Sequence, residues 1–140
     1  MKKVYLFILL AFLISQCGDD EPLNIEVYNT EAFAYNISDG IWEVNATTRV
    51  KGFKQNENNG QFTASLSYDI DLITPSGETI SSMISRTADK ENSERMSDTE
   101  LEVQFELDST YSAGTYQLIF RVRDALTESA DTSKTEFRLD

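Results

Sequence analysis

The sequence predicts an all-β fold: one antiparallel sandwich of two sheets built from seven or eight strands. Three observations predict it. From Leu23 onward apolar residues recur with a period of two, the repeat of a strand with one face buried. Turn-forming residues fall between the apolar runs rather than inside them. The runs also vary in length from about five to about twelve residues, which suits a sandwich better than an evenly stranded closed barrel.

Taken in chain order, Leu23, Ile25 and Val27 alternate with Asn24 and Glu26 as a first short strand, and Phe33, Tyr35 and Ile37 form a second short run. Asp39-Gly40 is a tight-turn dipeptide between strand patterns. Trp42, Val44, Ala46, Thr48 and Val50 then alternate with Glu43, Asn45, Thr47, Arg49 and Lys51. Asn56 to Gly60 is a polar loop ending in a glycine able to take positive φ. The longest run places Phe62, Ala64, Leu66, Tyr68, Ile70 and Leu72 on one face, with Asp69 and Asp71 on the other. Pro75-Ser76-Gly77 is a proline-led turn, and Ile80 to Ile84 a short strand. Thr87 to Thr99 is polar throughout and is expected as a long loop or one helical turn. Leu101, Val103, Phe105 and Leu107 alternate with Glu102, Gln104 and Glu106. Tyr116, Leu118, Phe120 and Val122 follow the Ser112-Ala113-Gly114 turn, and Phe137 and Leu139 lie on the last strand. The inward set of the last four long strands, with Trp42, Val44 and Val50 facing it, is the expected core. Slipping any strand by one residue would bury its charged alternates.

Leu107-Asp108, Tyr111 and Ala113-Gly114-Thr115-Tyr116 resemble the run into strand F of immunoglobulin-like and fibronectin-III-like modules. Gly114–Asp124 and Thr132–Leu139 resemble the last hairpin of bacterial immunoglobulin-like repeats. The resemblance implies an immunoglobulin-like sandwich and says nothing of a ligand. It makes Phe62–Ile73 strand C and Tyr116–Arg123 strand F, antiparallel neighbours. Asp69 and Asp71 are then expected to face Arg121 and Arg123, with Glu136 and Arg138 on the next strand.

The first sixteen residues read as a leader. Lys2 and Lys3 precede an apolar stretch from Val4 to Ile14. Eleven helical residues span about 16 Å, roughly half a bilayer's hydrocarbon core, so the stretch is a secretion signal rather than a finished span. Ile14-Ser15-Gln16-Cys17 resembles the lipobox of bacterial lipoproteins, with Gln16 where a smaller residue is usual. The resemblance implies cleavage before Cys17, a diacylglycerol on its sulfur and an acyl chain on its amine. Each buried methylene contributes about 0.8 kcal/mol to such an anchor. Asp19, Asp20 and Glu21 resemble the acidic surface-export tag of some Gram-negative lipoproteins. Residues 1–16 are thus expected as signal, 17–22 as acidic tether and 23–140 as the sandwich domain. The expected location is the outer membrane of the cell envelope, facing outward.

The formal net charge is −12, and loss of Lys2 and Lys3 with the leader takes it to −14. So negative a surface repels phosphate backbones, which argues against nucleic acid as a partner. The chain has no histidine and one cysteine. It therefore lacks the commonest general base, an internal disulfide and a cysteine zinc site. Asp69 and Asp71 share a strand face, but calcium needs loops that wrap six to eight oxygens, and an outer face neutralised by arginines is the expected role. A nucleophilic serine would need a lysine base, and Lys51, Lys54, Lys90 and Lys134 all sit in polar surroundings. Tyr28, Phe33, Tyr35, Trp42, Phe53 and Tyr111 could stack on sugar rings, yet all but Phe53 are expected at inward positions. Phe53, beside Lys51, Lys54 and a polar loop, is expected to be exposed. Asp108-Ser109-Thr110 resembles an acceptor for bacterial O-glycosylation, against a plain polar loop. No catalytic residue, metal ligand or cofactor is expected. The expected function is a non-catalytic, lipid-anchored envelope module that binds a protein or glycan partner. The alternatives are an accessory subunit of a surface glycan-processing or assembly system, and a carboxylate-dependent enzyme.

Overall fold

The computed structural model describes residues 23–140. The leader, Cys17 and the acidic residues Asp19, Asp20 and Glu21 lie outside the described residues. Within them the chain forms β1 (Glu26–Ser38), β2 (Ile41–Lys51), β3 (Asn56–Asn58), β4 (Gln61–Ile73), β5 (Thr79–Asn92), β6 (Asp98–Leu107), β7 (Gly114–Asp124) and β8 (Ala130–Leu139). Strands β1, β2 and β6 make one antiparallel sheet in that order. The second sheet runs β5-β4-β7-β8, and the short β3 extends the β7 side of β4.

This is the two-sheet antiparallel sandwich expected from the alternation, in the immunoglobulin-like form that the resemblance implies. β4 and β7 are the strand C and strand F pair, in register from Leu66↔Asp124 to Ile73↔Gln117. At the start of β7 the Tyr116 hydroxyl donates to the Ser112 carbonyl at 2.7 Å, the tyrosine corner of this fold class. The ring itself stacks on Phe137 with centroids 5.4 Å apart. Leu66, Tyr68, Ile70, Leu72, Leu118, Phe120 and Val122 of one sheet pack against Val44, Val50, Leu101, Val103 and Leu107 of the other. Two residues of the expected core, Trp42 and Phe105, are only partly buried and pack on its margin.

Three expectations about strand bounds and placement are corrected. The two short N-terminal runs are one strand, β1, kept continuous by a bulge. Between Tyr28↔Arg49 and Glu31↔Thr47, β1 advances three residues while β2 advances two. Asn29 takes φ 49°, a left-handed conformation that asparagine tolerates. The extra residue reverses the face of everything after it. Ile25 and Val27 point inward before the bulge, Ala32 points inward after it, and Phe33, Tyr35 and Ile37 turn outward. Thr87–Thr99 is not one long loop or a helical turn: β5 runs on to Asn92 along the side of β4 away from β7, Ser93–Ser97 alone is loop, and β6 begins at Asp98. Phe53, expected to be exposed, is buried. Gly52, at φ +74°, folds the chain back beneath β2, and the Lys54 amide is held by the Asp124 carboxylate at 2.7 Å.

Candidate functional site

The outer face of the three-stranded sheet carries two contrasting halves. Beyond the bulge, Phe33, Tyr35 and Ile37 stand exposed in a row on β1, at 55, 56 and 50% of their full surfaces. Register places Asn45 and then Gln104 beside Phe33, and Glu43 and then Glu106 beside Tyr35. The Asn45 amide donates to Glu43 Oε1 at 2.9 Å, fixing one amide and one carboxylate next to the rings. On β1, β2 and β6 this half contains no lysine or arginine; its charges are Glu31, Glu43, Glu102 and Glu106. Flat exposed rings beside fixed acceptors can stack on apolar faces and accept hydrogen bonds from hydroxyls or ammonium groups.

In the other half, charges are already paired. Arg49 makes a bidentate contact to Asp98 at 2.7 and 3.0 Å, and the Tyr28 hydroxyl donates to the same carboxylate at 2.5 Å. The Arg49 hydrogen bond, followed by that of Tyr28, holds the Asp98 carboxyl below the ordinary carboxylate range. Lys51 bridges Glu26 at 3.0 Å and lies over the Tyr28 ring. Both cations of this sheet are therefore committed away from the aromatic row.

The bulge that exposes the row is held from beneath. Thr30 Oγ1 lies 2.7 Å from the hydroxyl of the fully buried Thr48 and donates to Ser133 Oγ at 2.7 Å. The Thr48 hydroxyl donates to the Tyr28 carbonyl at 3.2 Å. These contacts tie the bulge, which is exposed at Asn29 and half-buried at Tyr28 and Thr30, to β2 and β8.

The paired carboxylates of β4 are placed differently from expectation. Asp69 is level with Arg121 in register and bonds to the Ser85 hydroxyl. Asp71 is buried rather than solvated. It accepts from Arg121 Nε and Nη2 at 2.9 Å each and from the Ser82 amide at 2.7 Å. The cause is a second bulge. Between Ile70↔Ile84 and Leu72↔Ile80, three β5 residues face Asp71, and Ser82 at φ 48° folds over its carboxylate. Burial pushes the Asp71 carboxyl up, and Arg121 with the Ser82 amide pulls it below its usual value. Arg123 does not join them; it pairs with Glu128 at 3.0 Å, and Arg138 pairs with Asp140. With both oxygens of Asp71 engaged, these residues hold β4, β5 and β7 together. Among the described residues no group of three or more acidic, histidine or cysteine side chains is placed to hold a metal ion.

Of the other aromatic candidates, Tyr28 is engaged with Asp98 and Lys51, while Trp42 and Tyr111 pack on the core margin. One structural carboxylate escaped the sequence reading. Asp124 is fully buried, and besides the Lys54 amide it accepts the Leu126 amide at 2.8 Å. Its signal was the position of an aspartate two residues before that amide, where a strand gives way to a turn.

No protein-family model matches the chain, and no curated protein matches its sequence. Solved structures match it in fold. A calcium-binding mutant of Bacteroides uniformis beta-glucuronidase 2 aligns over 79% of this chain and 13% of its own, at 10% identity and a TM-score of 0.54. A family 123 glycoside hydrolase from Clostridium perfringens aligns over 70% of this chain and 21% of its own, at 12% identity and a TM-score of 0.46. A protein from Archaeoglobus fulgidus aligns over 82% of this chain and 98% of its own, at 11% identity and a TM-score of 0.41. The chain spans only a small part of the glucuronidase's length.

Proposed function

We propose that this chain is a lipid-anchored module of the bacterial outer membrane, displayed outward, that binds a protein or glycan partner without catalysing a reaction. The observation that carries the binding reading is the exposure of Phe33, Tyr35 and Ile37 on the outer side of β1. Single exposed apolar residues are ordinary, but two rings in successive outward positions, with Ile37 exposed at the irregularity that follows, form an apolar patch with acceptors beside it. The anchor reading is supported by Lys2 and Lys3, the apolar stretch to Ile14 and the lipobox-like Ile14–Cys17. Surface display is supported by Asp19, Asp20 and Glu21. A second reading, an accessory subunit of a surface glycan-processing system, draws on the fold shared with a segment of the glucuronidase.

Two measurements test the proposal. Mass spectrometry of membrane-extracted protein should find a chain starting at an acylated Cys17; a free thiol there removes the anchor. The full chain should be retained on an array of immobilised envelope glycans and outer-membrane proteins, and the Phe33→Ser/Tyr35→Ser double variant should lose that retention. Equal retention of both forms rejects this face as the contact surface.

A further inference from the structure

We infer that β1 accepts an added β-strand from a partner protein along Ala32–Asn36, and that the strand has alternating apolar residues with basic residues at its ends. The inference rests on the reading of the aromatic face as a contact surface and specifies what occupies it. Its basis is a contrast among sheet edges. The two sheets end on β1, β6, β5 and β8. An open edge offers free amide and carbonyl groups, and proteins blunt such edges with charges, bulges or a covering side chain.

Three of these edges are blunted. β6 sets Glu100, Glu102 and Glu106 outward, and β8 sets Lys134, Glu136 and Arg138 outward. β5 carries the bulge at Ser82 together with Arg86, Asp89, Lys90 and Glu91. The first part of β1 is covered as well. The Ile25 amide donates to Ser129 Oγ at 3.1 Å and the Val27 amide to Asp131 Oδ2 at 2.8 Å. From Ala32 to Asn36 the protection stops. The sequence Ala-Phe-Ala-Tyr-Asn is uncharged, and pairing with β2 is regular from Glu31↔Thr47 to Asn36↔Trp42. Among the described residues, nothing but β2 forms hydrogen bonds with this stretch. Its length is that of an ordinary strand. A strand added there would gain a main-chain ladder, while Phe33 and Tyr35 would offer side-chain contact on the outer face.

Charge selects the occupant. Glu31 and Asp39 bracket the stretch, and Glu43 and Glu106 lie beside it, with no cation among them. Basic ends on the incoming strand complement that frame. A second copy of this chain does not. Its net charge is −12, and an antiparallel self-pair would bring Glu31 of one copy toward Asp39 of the other.

The test uses the full chain in detergent micelles, isotope-labelled for NMR, with a synthetic nonapeptide of centre Thr-Val-Thr-Val-Thr and two lysines at each end. The expected result is a shift confined to amides of Glu31–Asn36 and their β2 partners. The same peptide N-methylated at alternate residues should not bind, and a version with glutamate ends should bind at least tenfold more weakly. Equal binding by the N-methylated peptide, shifts on β5, β6 or β8 instead, or no shift in β1 overturns the inference. So does a concentration-dependent dimer through β1 without peptide. If xylopentaose or cellopentaose moves the Phe33 and Tyr35 ring signals while the peptide moves nothing, strand addition falls and the contact face stands. If neither probe moves them, both fall.

Discussion

Replacing Asp71 by asparagine isolates the charge of the ion pair that fixes the second bulge. Asparagine keeps the shape and can still accept the Ser82 amide, while the two 2.9 Å contacts from Arg121 lose their ionic character. Hydrogen bonds to charged groups contribute about 1.5–3 kcal/mol, and orphaning one member of a fully buried pair costs about 3–5 kcal/mol. Here the Asp71 side chain is 12% exposed but that of Arg121 is 44% exposed, so water takes over much of the guanidinium's demand. The expected loss is therefore about 1–2 kcal/mol, or roughly 4–8 °C in Tm for a domain of this size. The sign of the pH dependence follows from the depressed carboxyl. A native carboxyl titrating below its unfolded value adds stability above the unfolded range and loses it as pH falls through the native value. The gap between wild type and Asp71→Asn should be full at about pH 7 and should close on acidification below about pH 4. Urea unfolding followed by the single tryptophan, Trp42, measures both. A cycle with Arg121→Gln should give a coupling of about 1 kcal/mol. Coupling within the roughly 0.5 kcal/mol scatter of independent sites, or a gap that does not change with pH, would refute the reasoning.

Phe120→Ala removes a fully buried ring from β7 and should cost about 3–5 kcal/mol in calorimetry, against a total that for small domains is about 5–15. Gly52→Ala should destabilise by more than about 1 kcal/mol in urea titration, because a Cβ at φ +74° would lie 2.2 Å from the Asn24 carbonyl oxygen. Asp69→Asn should cost under about 1 kcal/mol by the same titration, since its bond to Ser85 is exposed. Phe33→Ser/Tyr35→Ser should change stability by no more than about 0.5 kcal/mol per site; a loss of several kcal/mol would mean that the rings are core and the β1 register is wrong.

Much of the fold was legible because burial on one face imposes a period of two. Leu66, Tyr68, Ile70 and Leu72, and likewise Tyr116, Leu118, Phe120 and Val122, follow it without interruption, and all are buried. That pattern, with the turns between runs, determined the fold class; the β4–β7 pairing, and with it the neighbourhood of Asp69 and Arg121, followed from the resemblance to immunoglobulin-like modules. It failed wherever a single extra residue changed the parity. Phe33 and Tyr35 continue the apolar alternation of Ile25 and Val27 in the sequence, so they read as core. The bulge at Asn29 turns them out, and what holds it is a hydroxyl cluster joining Thr30 to Thr48 and to Ser133, 103 residues away. Asp71 keeps the outward face that the alternation gives it, and it is buried by two extra residues of β5 at Ser82 that fold over it. The amino-acid pattern alone therefore decided which segments are strands and how the core is filled. Which face each segment presents past an irregularity was decided by tertiary contacts, because one residue of slip inverts a strand and the groups that stabilise the slip are brought together only by the folded sheets.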